Sequence, residues 1–251
     1  MSFNSISMLR RIIPVGVTAL LITSVNAQVS FGVRGGANWA KMTAQEGLAQ
    51  KVGSRLGVEA GIAIGVPVAK WLTLGPELAY VQRGYHRDNI PGSVFPEERL
   101  VLGYADLAIL GRIHPANGTA RPYVTIGATM GRLLSACLYQ TDPWTRDEQG
   151  IMLDPSGVNM GPWSAKTPMN RWNLGLCAGL GFSFAAGTSQ VMVEVRYRHG
   201  LTNIWNGVPV TDVNGAPVGE LNGSDRSISA TLAWMLPVGK QRSAGAAPAA
   251  Q

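Results

Sequence analysis

The sequence predicts an all-β protein, an eight-stranded antiparallel transmembrane β-barrel with short periplasmic turns and long outer loops. Three observations lead to this prediction. Eight segments alternate apolar with polar residues, as strands with two different faces do. The connections between the segments alternate between long and short, which is typical of outer-membrane barrels. Nine charged residues in these segments keep the parity opposite to the Leu, Val and Ile residues, so the sheet has one charged face and one apolar face.

The composition agrees with a membrane barrel. Only 14% of the 251 residues are charged, 46% are apolar and 31 residues are glycine. After residue 27, no segment has the about 20 apolar residues that a transmembrane helix needs. The formal net charge of +6 includes Arg10 and Arg11, and the remaining excess is scattered. Because no basic stripe with interleaved aromatic residues is present, we expect no binding of nucleic acid.

Three regions follow one another along the chain. Residues 1–27 have the features of a signal peptide, with Arg10 and Arg11 before an apolar run at 12–25 and with Val25 and Ala27 at the cleavage positions. The apolar run is too short for a membrane anchor, so we expect cleavage after Ala27. Residues 28–239 form the predicted barrel. The Ala- and Pro-rich segment 240–251 is predicted to be disordered.

Each of the first four predicted strands has an apolar face and a polar face. Their ranges are 29–41, 54–66, 71–84 and 99–113. Their apolar faces hold, in the same order, Phe31 and Val33, Val58 and Ile62, Leu74 and Leu78, and Leu107 and Ile109. A tight connection at 67–70 follows the second strand, and a turn at 114–119 with an Asn-Gly signal follows the fourth. The connections after the first and third strands, 42–53 and 85–98, are longer and polar.

The last four predicted strands repeat this alternation. Their ranges are 120–133, 172–184, 190–204 and 225–236. Their apolar faces hold, in order, Val124 and Ile126, Leu176 and Leu180, Val193 and Val195, and Ile228 and Leu232. A tight turn at 185–189 contrasts with the long connections 134–171 and 205–224. Within the last connection, residues 213–216 (Val-Asn-Gly-Ala) are a candidate cap for a hairpin that extends beyond the barrel.

The charged face of the predicted strands is expected to point into the barrel. It carries Arg34, Glu59, Glu77, Arg83, Asp106, Arg112, Glu194, Arg196 and Arg198. An eight-stranded barrel has an interior that side chains just fill. Burying charges there is tolerable only if they pair and form hydrogen bonds, so we predict an ion-pair network. The glycines of the same face would make room for it. Arg34, Glu59 and Glu77 are the candidate partners of Glu194, Arg196 and Arg198.

Aromatic residues cluster near both ends of the strands. Those toward the loop end are Trp39, Tyr80, Trp172, Tyr197 and Trp205. Those toward the turn end are Phe31, Trp71, Phe182, Phe184 and Trp234. Amphipathic rings suit the two membrane interfaces, so we predict two aromatic belts in contact with lipid.

Catalytic and metal-binding patterns are incomplete in this sequence. His86 and His199 are the candidate bases of a lipid hydrolase at the outer rim, but only Thr202 could act as nucleophile, and Glu194 or Asp225 would have to orient the ring. Four acidic residues of the long connection match no calcium-binding loop: Asp142, Asp147, Glu148 and Asp154. The two cysteines, Cys137 and Cys177, are too far apart for a metal site, and a disulfide between them is not favoured. We therefore predict no enzyme activity, no cofactor and no metal.

Several stretches resemble the PorT-like outer-membrane β-barrel family of porin-family proteins. They are FGVRGGANWAK (31–41), GVEAGIAIGVPVAKWLTLGPELAYVQRGY (57–85), GYADLAILGRIHP (103–115), RPYVTIGATMGRLLSA (121–136) and VEVRYRHGLTNI (193–204). The resemblance covers nearly all of residues 29–236 and implies an eight-stranded barrel in the outer membrane. It also implies an accessory role in protein secretion, although many similar proteins have no assigned role. The family offers no catalytic residues to carry over.

The predicted function is that of a non-enzymatic structural or interaction component of the outer membrane with a side-chain-filled interior. The alternatives are a narrow porin-like conduit for small solutes and a rim lipid hydrolase. We expect a monomer that contacts outer-membrane lipid and an unidentified protein partner, through its outer loops or its periplasmic turns. The loop contacts would lie in 134–171 and 205–224, with Trp144 and Trp163 as anchors because Trp is frequent at interface hot spots.

Overall fold

The barrel strands are the parts of the chain that the structure describes most fully. The structure is a computed structural model, and it describes residues 28–44, 52–88, 96–115, 118, 120–154, 164–166, 169–205, 209–211, 217–220 and 222–238. The predicted signal peptide (1–27), the predicted tail (240–251) and Trp163 lie outside the described residues.

Eight long strands form the barrel. They are β1 (Val29–Ala44), β2 (Arg55–Ala69), β3 (Leu72–Asp88), β4 (Glu97–Ile113), β5 (Ala120–Thr141), β8 (Trp172–Ala186), β9 (Ser189–Gly200) and β12 (Gly223–Val238). Each pairs antiparallel with its neighbours in this order, and β12 pairs with β1 to close the ring. Closure leaves no unpaired strand edge, as a lipid environment requires. The predicted eight-stranded antiparallel barrel is confirmed.

Two ends of the barrel differ, as the connection lengths predict. The connections after β2, β4 and β8 are short, and one of them consists only of residues 187–188. At the other end, β1, β3, β5 and β9 are followed by long connections. We call the end with the short connections the turn end and the end with the long connections the loop end. Because an outer-membrane barrel needs only about 9–11 residues per strand to cross the bilayer, the 22-residue β5 extends well beyond it.

Four short strands lie beyond the barrel at the loop end. They are β6 (Glu148–Asp154), β7 (Ser164–Lys166), β10 (Pro209–Thr211) and β11 (Pro217–Glu220). Strand β6 pairs with the end of β5, and β7 adds to β6 in parallel. Strands β10 and β11 form the hairpin expected in the last connection, although residues 212–216 at its tip are not described.

Several observed strand ends differ from the predicted ones, and two of these differences shape the loop end. Strand β5 continues eight residues past the predicted end at Leu133, because Leu138 packs against buried apolar side chains and β6 supplies a pairing partner. The predicted seventh strand, 190–204, ends earlier, at Gly200. There the chain turns inward across the barrel mouth, where Ile204 is buried.

The barrel turns its apolar faces outward and its polar faces inward. Leu180 is 67% exposed and Ile109 63% exposed on the outer surface, whereas alternate residues of the same strands are buried. Such a surface fits an apolar solvent rather than water. The core of the molecule is therefore the barrel lumen. In the described part of the chain, we find no helix whose length and hydropathy would let it cross a membrane.

Candidate functional site in the barrel lumen

The lumen is organised in layers from the turn end to the loop end. An open vestibule comes first, then a thin apolar layer, two ion-pair clusters and an apolar plug. Each layer receives side chains from several strands of the ring, because alternate residues of every strand point inward. The layers determine what can pass through or bind inside the barrel.

The vestibule at the turn end is a polar cavity of about 490 Å³. Its wall includes Ser30, Thr73, His114, Arg121 and Ser183, and the Thr73 hydroxyl lies 3.0 Å from His114 Nε2. The vestibule ends at the thin apolar layer, which is a buried cluster of Ala63, Tyr123, Met192 and Met235. This layer lies between the vestibule and the charged interior, and a cavity of about 40 Å³ beside it is lined by residues of both, among them His114 and Arg112.

The lower ion-pair cluster is built around Glu77, which is buried on β3. Three guanidinium groups contact its carboxylate, those of Arg34, Arg112 and Arg196. Arg196 Nη1 lies 2.9 Å from Glu77 Oε2, and Arg34 also pairs with Glu59 at 2.7 Å. These contacts join β1, β2, β3, β4 and β9 across the lumen.

Glu194 completes the lower cluster. Arg196 Nε donates a hydrogen bond of 2.6 Å to Glu194 Oε1, and the Thr125 hydroxyl donates one of 3.0 Å to Oε2. Arg112 Nε lies 3.7 Å from the same carboxylate. With three arginines and three glutamates, the cluster carries no net charge, which is the condition under which such burial is tolerable.

The upper ion-pair cluster contains Arg83, Asp106, Arg198 and Asp225. Arg83 pairs with Asp106 and lies 3.3 Å from Asp225, and Arg198 Nη1 lies 2.6 Å from Asp225. Asn173 bridges Arg198 and Asp225 with hydrogen bonds of 2.7 and 2.9 Å. Two arginines and two aspartates again balance each other.

The structure places all nine predicted lumen charges inside the barrel and adds a tenth, Asp225. The prediction that Arg198 pairs with Glu59 or Glu77 is wrong, because Asp225 is its ion-pair partner. Asp225 shares the parity of Ser227, Ser229 and Thr231, which are all buried, so its position in the strand carried the signal. With Asp225 included, the two ion-pair clusters together hold five acidic and five basic side chains.

Glycines next to these clusters leave room for the long side chains. A Cβ atom at Gly131 or Gly200 would overlap the carboxylate of Asp106 or Asp225, respectively. A Cβ atom at Gly175 would lie 2.9 Å from the Arg198 guanidinium carbon. Glycine, which has no side chain, is therefore needed where the charged groups contact the barrel wall.

A small cavity of about 30 Å³ lies between the two clusters. Asp106 and Arg83 line it, and within the described part of the protein Asp106 Oδ1 and Arg83 Nη1 have no hydrogen-bond partner. The cavity is large enough for one or two water molecules, which could satisfy both groups. It is too small to form an ion path.

The plug closes the lumen at the loop end. It is the buried apolar cluster of Met42, Leu100, Leu102, Tyr104, Leu133, Ala136, Leu153, Met169 and Ile204. Tyr85, Leu138, Ile151 and Trp205 pack against it and are partly buried. The inward-turning segment after β9 is held by hydrogen bonds of 2.8 Å from Asn170 N to Ile204 O and from Ile204 N to Gly223 O.

Nine of the ten predicted belt aromatics lie exposed on the outer surface of the barrel. They are Phe31, Trp39, Trp71, Tyr80, Trp172, Phe182, Phe184, Tyr197 and Trp234. The tenth, Trp205, was wrongly assigned to the belt, because it packs against the plug inside the mouth. Trp172 also lies beside Arg132, whose guanidinium carbon is 5.8 Å from a ring centroid of the indole.

The candidate catalytic residues are not brought together. His199 lies on the outer side of β9 next to the hydroxyl of Tyr197, at 3.5 Å. Thr202 Oγ1 accepts a hydrogen bond of 2.8 Å from Leu174 N, while Glu194 and Asp225 lie inside the barrel. His86 pairs with Asp88 at 2.7 Å. These positions form no nucleophile–base–orienter set.

The turn between β5 and β6 presents Trp144 to solvent, and its side chain is 81% exposed. Backbone N–H groups of Thr145 and Trp144 donate hydrogen bonds of 2.9 and 2.8 Å to Asp142 Oδ1. These bonds hold the pKa of the Asp142 carboxyl below its usual value. Beyond the turn, Glu148 pairs with Arg99 at 2.6 Å. Among the described residues, no group of three or more His, Cys, Asp or Glu side chains could hold a metal ion.

Both cysteines carry free thiols. Cys177 is buried in the lumen on β8, opposite Gly127, and Cys137 is half-buried on the extended part of β5. Cys177 is therefore a small lumen side chain.

Comparison with known proteins decides the family. The family described as "Outer membrane protein beta-barrel domain" matches residues 24–206, which is more than half of the chain. The chain belongs to this family. Its apolar exterior is therefore the lipid-facing surface of a protein of the outer membrane. No curated protein sequence matches the chain.

Solved structures of outer-membrane proteins are similar to this barrel. Neisserial surface protein A is 15% identical, with 81% of this chain and 95% of that chain covered and a TM-score of 0.39. Ail of Yersinia pestis is 10% identical, with coverages of 83% and 99% and a TM-score of 0.40. OprG of Pseudomonas aeruginosa is 12% identical, with coverages of 84% and 98% and a TM-score of 0.46. At these values the likenesses carry no argument about function.

Proposed function

We propose that this outer-membrane barrel is a non-enzymatic, non-conducting protein that acts as a structural or interaction component of the outer membrane. The observation that carries the proposal is the filled lumen. The plug, the two neutral ion-pair clusters and the thin apolar layer follow one another along the barrel axis. The cavity between the clusters has a volume of only about 30 Å³.

Opening a path through this lumen would carry a large energetic cost. Moving Arg83 aside would leave its partner Asp106 buried without a counter-charge, which costs about 3–5 kcal/mol for a buried pair. In addition, apolar residues of the plug such as Leu100 and Leu102, each 1% exposed, would have to leave a packed cluster. A resting barrel of this kind excludes solutes.

The activity is then located in the parts of the chain beyond the membrane. The extended β5–β6 hairpin presents Trp144 at its tip, on a turn ordered by Asp142. An exposed Trp on an ordered turn has little conformational entropy to lose on binding, and it is a frequent interface anchor. We propose that this hairpin contacts a protein partner. The PorT-like resemblance supports an accessory role in protein secretion.

Planar-bilayer recording tests the closed lumen. We expect purified protein to insert without producing a steady ion current, whereas an open porin inserted under the same conditions conducts. A steady current from the inserted parent protein, absent from protein-free detergent controls, would contradict the proposal.

Site-specific photo-crosslinking tests the interaction role. A photo-reactive residue at Trp144 should give an adduct with one partner in intact cells, and the same residue at lipid-facing Leu180 should not. Once that partner is purified, Trp144→Ala should weaken its binding by about tenfold or more, as expected for a hot-spot residue. Unchanged affinity would remove the hairpin as the contact surface. Because the protein is proposed to be non-enzymatic, we also expect cells that produce it to keep an unchanged composition of lipid A and phospholipid.

A further inference from the structure

Three basic side chains lie in one row on the outer surface of the barrel, near the loop end. Lys41 on β1 is directly opposite Arg226 on β12, and Arg226 is directly opposite His199 on β9. Neighbouring strands are roughly 4.8 Å apart, so the row brings all three side chains within reach of one ligand. We call Lys41, Arg226 and His199 the cationic row.

The cationic row faces outward. The row two residues nearer the turn end consists of Trp39, Ile228 and Tyr197, which are 45%, 49% and 43% exposed. Side chains two residues apart in a strand point to the same face, so the cationic row lies directly above these belt residues. This is the height at which the interface between acyl chains and headgroups is expected.

No carboxylate on the outer face of the described neighbouring strands balances the cationic row. The strands β8, β9, β12, β1 and β2, taken over their described residues, contain the carboxylates of Glu194, Asp225 and Glu59, and all three are buried in the lumen. Like charges directly opposite each other in an antiparallel pair are destabilising. Lys41 and Arg226 occupy such a pair and form no ion pair with described residues. The described strands therefore leave the positive charge of Lys41 and Arg226 available to an anion.

Hydroxyl groups stand above the row and complete a site for a phosphate. Thr43 and Ser224 are the next pair toward the loop end, and Thr43 Oγ1 lies 3.2 Å from Ser224 O and 3.4 Å from Ser224 Oγ. Ammonium and guanidinium groups with nearby hydroxyls are the donors that phosphate monoesters prefer. The aromatic residues below would contact the acyl chains of the same molecule.

We propose that the cationic row binds the phosphate groups of an outer-leaflet lipid of the lipid A class. The protein would thereby hold a specific lipid on the β9–β12–β1 side of the barrel. This site is separate from the proposed loop contacts, so the failure of either proposal leaves the other standing. A free phosphate ion shares the same chemistry, and the experiment has to distinguish the two sources.

The test measures binding of purified barrel to bis-phosphorylated lipid A by native mass spectrometry in detergent. We expect the parent to prefer bis-phosphorylated over dephosphorylated lipid A. The double variant Lys41→Gln, Arg226→Gln should lower the affinity for the phosphorylated form by about thirtyfold, since each interfacial cation is worth about 1 kcal/mol. It should leave binding of the dephosphorylated form unchanged.

Two further variants control for fold and for net charge. The pair Lys70→Gln, Arg146→Gln removes the same two charges from the turn end and from the outer loop, and it should keep the parental preference. The charge-conserving pair Lys41→Arg, Arg226→Lys should keep it as well. A parent without preference for the phosphorylated lipid, or a cationic-row variant that retains the preference, would overturn the proposal. If inorganic phosphate at the same concentration competes for the site as well as lipid A does, the proposal that the bound phosphate belongs to a lipid is wrong.

Discussion

The substitution Glu77→Gln probes the centre of the lower ion-pair cluster. Glu77 is 3% exposed, and its carboxylate contacts Arg34, Arg112 and Arg196. Glutamine keeps the volume and removes the charge, so three buried guanidinium groups would face only Glu59 and Glu194. Breaking a buried ion pair by removing one partner costs about 3–5 kcal/mol, and we expect a loss of that size in the free energy of unfolding.

The measurement is the folding of the barrel into lipid vesicles at increasing urea concentrations. The folded fraction is monitored in gels, where the folded barrel shifts its mobility on heating. Glu148→Gln is the matched control, because Glu148 forms a half-exposed pair with Arg99 that should contribute less than about 1 kcal/mol. Adding Arg112→Gln to Glu77→Gln restores a neutral cluster and should recover at least about 1 kcal/mol of the loss. If Glu77→Gln costs no more than Glu148→Gln, the lumen charges are solvated and the proposed filled interior is wrong.

Two further substitutions test the outer face and the glycine positions. Leu176→Arg places a charge on the lipid side, where arginine costs about 2–4 kcal/mol near the bilayer centre. The intensity of the folded band in the outer-membrane fraction should therefore fall sharply. The control Trp144→Arg, which lies in the loop, should leave that intensity unchanged. Equal assembly of both variants would place Leu176 away from lipid. Gly200→Ala adds a methyl group that overlaps Asp225, so it should lower the free energy of unfolding by about 1–3 kcal/mol. The control is Gly111→Ala, whose Cβ meets no atom closer than 3.8 Å. It should change the free energy of unfolding by less than about 0.5 kcal/mol. Similar free energies of unfolding for the two alanine variants would show that the barrel wall at Gly200 can accommodate a methyl group without cost.

The barrel itself could be predicted because its signal is repeated in every strand. A single strand such as β9, with Val193 and Val195 on one face and Glu194 and Arg196 on the other, fits either a soluble or a membrane barrel. The orientation followed from eight strands with one parity rule and from the alternation of connection lengths. Both features survive errors at individual strand ends, such as the late end of β5.

The partners of the lumen charges could not be predicted with the same success. Parity tells which face a side chain occupies, but the height of two side chains inside the barrel depends on the register between strands that are far apart in sequence. Arg198 and Asp225 meet because β9 and β12 are neighbours with Arg198 opposite Ser227. That register is absent from either strand's own sequence.

The plug was missed for a related reason. Its residues come from β1, β4, β5 and β6 and from the segments before β8 and after β9, and none of these contributions has a clear pattern of its own. The register shift between Gly103 and Tyr104 also interrupts the simple alternation of β4 near the plug. Trp205 could not be distinguished from a belt residue until the inward turn of its segment was known.

The most direct test of the inside-out arrangement is methyl NMR of the protein in lipid nanodiscs that contain a lipid with a spin label on its acyl chain. The methyl groups of Leu180 and Leu232, which are 67% and 57% exposed on the outer face, should be strongly broadened by the label. The methyl groups of Leu102 and Leu110, which are 1% and 0% exposed inside the barrel, should be much less affected. Stronger broadening of the inner pair, or equal broadening of both pairs, would contradict a barrel that encloses its charges and presents its apolar residues to lipid.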